Sequence, residues 1–111
     1  MKNDHNYRTD RAEKAVIYLS ETDRQIAELR ALYEKTKRQN KQIWSAIFLR
    51  VDGSVEARKA QAEVNQEYQS AQAAEMTALK EYEALKNERE SACVLIDFWR
   101  SFQKAVNEGH V

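Results

Sequence analysis

Val51-Asp52-Gly53-Ser54 is the one strong punctuation mark in a chain of 111 residues that contains no proline and only two glycines, the second of them at position 109. Glycine at position 53 can take the left-handed conformation that ends a helix, and Ser54 can cap a following helix with Glu56 in its first turn. This turn, at 52–54, separates an expected helix over residues 9–51 from a second over 55–106, flanked by a tail at 1–8 that is expected to be disordered and a C-terminal tail at 107–111. A continuous rod through Gly53, at a cost of about 1 kcal/mol relative to alanine, is the alternative.

On the N-terminal side, alternating steps of four and three trace a seam through Ala15, Leu19, Thr22, Ile26, Leu29, Tyr33, Thr36, Asn40, Ile43, Ile47 and Arg50. Seven of these eleven positions are apolar, the pattern of a helix that packs along one stripe. The seam is expected to be interrupted at Thr36 and Asn40, which lie in Glu34 to Gln42, a run with no apolar residue. Pairs at i,i+4, Asp10 with Lys14 and Glu34 with Arg38, should support the helix.

A second seam begins beyond the turn and runs through Ala57, Gln61, Val64, Tyr68, Ala71, Glu75, Ala78, Tyr82, Leu85, Arg89, Ala92, Ile96, Trp99, Gln103 and Val106. Its first two thirds are rich in alanine, which allows close approach to larger side chains from the first helix. The expected fold is therefore all-α, two long helices forming an antiparallel helical hairpin or coiled coil. The last third differs. Ala92 to Phe102 is apolar on nearly every side, and with a first helix shorter than the second it should overhang and associate with other copies. Leu95, Ile96, Phe98, Trp99 and Phe102 are the expected oligomer interface. An N-terminal segment folding over this surface is the competing reading.

Charge is balanced overall, with 18 Lys and Arg against 18 Asp and Glu, but it is unevenly placed. Residues 35–59 carry seven basic residues against Asp52 and Glu56, whereas residues 61–90 carry seven glutamates against Lys80, Lys86 and Arg89. Aromatics are interleaved with the cations, so Lys35, Lys37, Arg38, Lys41, Trp44, Arg50, Arg58 and Lys59 are candidate single-stranded DNA contacts: cations neutralise phosphates and aromatic rings stack on bases. The plainer reading makes the aromatics core and the charges a wet surface. Imitation of DNA by the glutamate-rich segment is weaker, because alanine and tyrosine dilute its excess charge.

Little supports catalysis or cofactor binding. His5 and His110 stand near opposite ends without other ligands at metal spacing, the glycines form no phosphate-cradling loop, and Cys93 has no neighbouring histidine. No enzyme activity, metal, cofactor or small-molecule substrate is expected. Cys93, the single cysteine, sits among Val94, Leu95 and Ile96 and is expected to be buried. No apolar run reaches membrane-spanning length and the N-terminus has no leader pattern, which points to the cytoplasm.

The basic helix end Lys41 to Arg50, the turn Val51 to Ser54 and the apolar end Leu95 to Phe102 together resemble the small phage recombination mediators of the UvsY type, over roughly residues 15–106. That resemblance implies a factor that binds single-stranded DNA with the basic residues closing its first helical region, assembles through its C-terminal helical region and assists a recombinase in loading. Arg50 is the best positional match, with Lys37, Arg38 and Lys41 looser ones. The turn is shorter than in that family, and the second helix reads as nearly uninterrupted. A structural coiled-coil adaptor that binds a partner protein without nucleic acid is the alternative function.

Overall fold

The computed structural model describes residues 4–109, and these are helical almost throughout, with no strand among them. Helix α1 spans Asp4–Arg50, α2 spans Val55–Val64 and α3 spans Gln66–Asn107. With no proline and few glycines, nothing in the backbone opposes such long helices. The turn falls where it was expected. Gly53 takes φ 121°, closed to most side chains, and Ser54 caps α2 by accepting a hydrogen bond from the Ala57 amide at 3.2 Å.

Two compact units make up the chain, one of Met1–Ile26 with Ala84–Val111, the other of Ala27–Glu83. Within each, α1 and α3 pack antiparallel. In the first unit Thr9 meets Trp99 and Tyr18 meets Glu88; in the second Tyr33 meets Tyr82 and Asn40 meets Glu75. Both expected seams supply the facing residues. From Ala15 to Ile47 every seam position of α1 is buried or half-buried, including Thr36 and Asn40, so the expected interruption is absent. Only Arg50 at the end is exposed. From Tyr68 to Val106 the seam of α3 is likewise covered.

The earlier part of the second seam is displaced. Ala57, Gln61 and Val64 are exposed, whereas Arg58 and Asn65 are half-buried and Ala62 is fully buried. Asn65 accounts for the shift. Its backbone is extended (φ −65°, ψ 133°), its amide closes α2 on the Ala62 carbonyl, and its side-chain Oδ1 accepts from the Glu67 amide at 2.9 Å. One residue thus ends α2 and caps α3. Expected as a single helix over 55–106, this segment is two helices, and the extended residue moves the inward face by one position.

The N-terminal boundary also differs from expectation. Helix α1 begins at Asp4 rather than residue 9, so residues 4–8 are helix instead of tail; residues 1–3 lie outside the described residues. At the other end α3 continues to Asn107, residues 108–109 form a turn, and residues 110–111 lie outside the described residues.

The N-terminal end of α1, including its extra turn, covers much of the apolar end of α3. Trp99 Nε1 donates to Thr9 Oγ1 at 3.0 Å, and the Arg8 guanidinium lies over the rings of Phe98 and Phe102, at 5.1 and 4.4 Å. Trp99, Ile96, Leu95 and Phe102 are therefore half-buried within the chain itself, which corrects the expected overhang. Phe98, at 59%, and Val94, at 67%, stay exposed. Cys93 is exposed, not buried: it is one residue past Ala92 on the seam, and a step of about 100° turns it away from α1.

Large side chains are scarce in the interior. Of the buried hydrophobics Ala12, Ala15, Ile47, Ala62, Ala78 and Leu85, only Ile47 and Leu85 bring the roughly 1.5–3 kcal/mol of a fully buried large aliphatic. Polar clamps supplement them. In the first unit Arg89 reaches across to the Leu19 carbonyl and Thr22 Oγ1, both at 2.7 Å, and to Asp23 at 3.2 Å.

Candidate nucleic-acid interface

The eight residues singled out for nucleic acid do not form one surface. At about 100° per residue, Lys37, Lys41 and Trp44 fall on one side of the seam position Asn40, and Lys35 and Arg50 on the other. Arg38 stands further round the helix, joining Glu34, Lys37 and Lys41 in a shallow cleft of about 230 Å³.

Three of the eight pair with carbonyl or carboxylate groups of the chain. Both Nε and Nη2 of Arg58 donate to the Phe48 carbonyl, at 2.9 and 2.7 Å, and its guanidinium covers the Phe48 ring at 4.2 Å. The Phe48 carbonyl is one of those left open at the C-terminus of α1, where a cation also complements the helix dipole. Arg58 therefore positions the turn. Arg50 lies 3.8 Å from Glu67 and Lys59 lies 3.9 Å from Glu56, both exposed pairs of small energetic weight.

Lys37, Arg38 and Lys41 make no ion pair among the described residues. The expected pair of Arg38 with Glu34 is not formed, whereas Asp10 with Lys14 is, at 3.1 Å. Lys37 and Lys41 border a groove of about 520 Å³ within the second unit, shared by Asn40, Trp44 and Ser45 of α1 and Tyr68, Gln72 and Glu75 of α3. Trp44 stacks on Phe48 with ring centroids 5.3 Å apart, and the Arg58 guanidinium also packs on the Phe48 ring. One face of α1 thus carries two lysines and an aromatic ladder, opposite a tyrosine. Tyr68, Gln72 and Glu75 were absent from the expected site, because only the antiparallel register reveals which α3 residues oppose Lys41. Tyr68 and Glu75 were visible as seam positions.

Chemically, the groove can hold an extended anionic chain bearing flat rings. No group of His, Cys, Asp or Glu that could hold a metal occurs among the described residues. No helix among them is long and apolar enough to cross a membrane. The chain matches no protein-family profile, no curated protein and no solved structure.

Proposed function

We propose that this chain is a non-enzymatic, cytoplasmic accessory factor of phage-type DNA recombination that binds single-stranded DNA along the Lys37, Lys41 and Trp44 face of α1, with Arg38 beside it, works as a homo-oligomer and assists a recombinase in loading. The observation that carries the reading is the groove itself: cations without carboxylate partners on one helix face, beside Trp44 and Tyr68. Recombination, as distinct from DNA binding in general, rests on the resemblance to UvsY-type mediators. Assembly is supported by the alanine-dominated interior and by the exposed Tyr7, Val94 and Phe98. Repeating a weak site around an oligomer raises avidity without any new contact.

Fluorescence anisotropy of a labelled single strand tests the reading. Affinity should fall steeply with salt as counterions are released, and duplex should bind more weakly because its bases are not free to stack. A second reading, an adaptor for a partner protein, is favoured by the same exposed Val94 and Phe98 and gains if no DNA binds.

A further inference from the structure

One acceptor in the lining of the groove lacks a hydrogen-bond partner. Asn40 is only 7% exposed, and its Nδ2 donates to Glu75 Oε1 at 3.5 Å, the outer limit of such a bond. Its Oδ1 is buried without a partner. Reversing the amide would set that oxygen against a carboxylate, so Glu75 fixes its orientation. Glu75 is half-buried and has no cation within ion-pair distance among the described residues. One under-satisfied buried acceptor, Asn40 Oδ1, therefore meets a carboxylate without a cation partner in one groove, and a native structure seldom leaves such a buried atom without a use. A ligand that pairs with these acceptors brings N–H groups. It must also suit the aromatic faces of Trp44 and Tyr68 and the cations of Lys37 and Lys41, within about 520 Å³.

We propose that the groove takes an unpaired nucleobase by its amino edge, preferring cytosine or adenine to thymine, with Glu75 as the acceptor and Asn40 as the residue that positions its carboxylate. This inference rests on the nucleic-acid reading above. Cytosine presents its N4 amine and adenine its N6 amine, groups that a carboxylate accepts from; thymine presents the O4 acceptor at the corresponding position, which a carboxylate repels. Lys37 and Lys41 lie beside the same groove, where they can hold the flanking phosphates.

Oligo(dC) and oligo(dT) of one length, titrated at one salt concentration and at mildly alkaline pH, isolate that edge, since both are pyrimidine strands of equal charge. The wild-type protein should bind oligo(dC) about fivefold tighter or more. Glu75→Gln keeps the size of the side chain and can still accept from Asn40, and should bring the ratio close to one with an unchanged melting curve. Equal affinity of the wild type for the two strands overturns this inference and leaves the nucleic-acid reading standing. Failure to bind either strand overturns both. A preference that survives in Glu75→Gln places the discrimination elsewhere and overturns the assignment to Glu75.

Discussion

Arg89 is a charged residue at a position of the α3 seam where the pattern calls for an apolar one, and its side chain is only 19% exposed. Its guanidinium satisfies the Leu19 carbonyl and the Thr22 hydroxyl, while its partner Asp23 is 78% exposed. Hydrogen bonds from a buried charged group outweigh a screened ion pair, so Arg89→Met should cost about 2 kcal/mol and Asp23→Ala under about 0.5 kcal/mol. Chemical denaturation of the two variants separates these effects. Tyr18 is a second residue-scale device. Its phenol donates to Glu88 at 2.6 Å, and that hydrogen bond, helped by desolvation and by the carboxylate's charge, raises its pKa above the usual 10.0. A raised folded-state pKa stabilises below the unfolded value and loses that contribution as pH climbs through the folded value. Ultraviolet titration should show one tyrosine ionising late, and Glu88→Gln should bring it forward; an unchanged titration in that variant would remove the bond from the account.

At the scale of elements, the turn and the two seams were legible because each follows a local rule: glycine at a positive φ, serine at an N-cap, apolar residues every 3.5 positions. Where a rule depends on tertiary partners, reading failed. Asn65 sits in an unbroken run of helix-forming residues, and its role as a double cap becomes visible only once Ala62 is seen to be buried instead of Gln61. The early start of α1 was hidden for a related reason: Asp4 to Arg8 is polar enough to read as a tail, and what Arg8 does there depends on Phe98 and Phe102, some ninety residues away. Asn65→Ala should lower stability by about 1 kcal/mol through loss of the cap. Hydrogen exchange should show faster exchange at the Glu67 amide; protection equal to wild type would mean that the two helices merge and α2 changes face.

At the scale of the whole molecule, the candidate site was legible in part. The charge run pointed to the end of α1 where Lys37 and Lys41 border the groove, but a linear count cannot sort residues by helix face, so Lys35 and Arg50 were grouped with them, and Arg58, a candidate contact, donates to the Phe48 carbonyl at the turn. The proposed association is the other matter at this scale. Exposed Val94 and Phe98 on a chain with an alanine-rich interior should drive it, and replacing both with serine should lower the mass found by light scattering while leaving helicity intact. A wild type that is already monomeric at micromolar concentration would contradict assembly. The central claim is tested most directly by titrating a labelled single strand, at low and at high salt, with the wild type and with Lys37→Glu/Lys41→Glu. The account predicts tight, strongly salt-dependent binding by the wild type and its loss in the double variant at an unchanged melting temperature. Absence of wild-type binding at low salt, or full binding by the double variant, would contradict it.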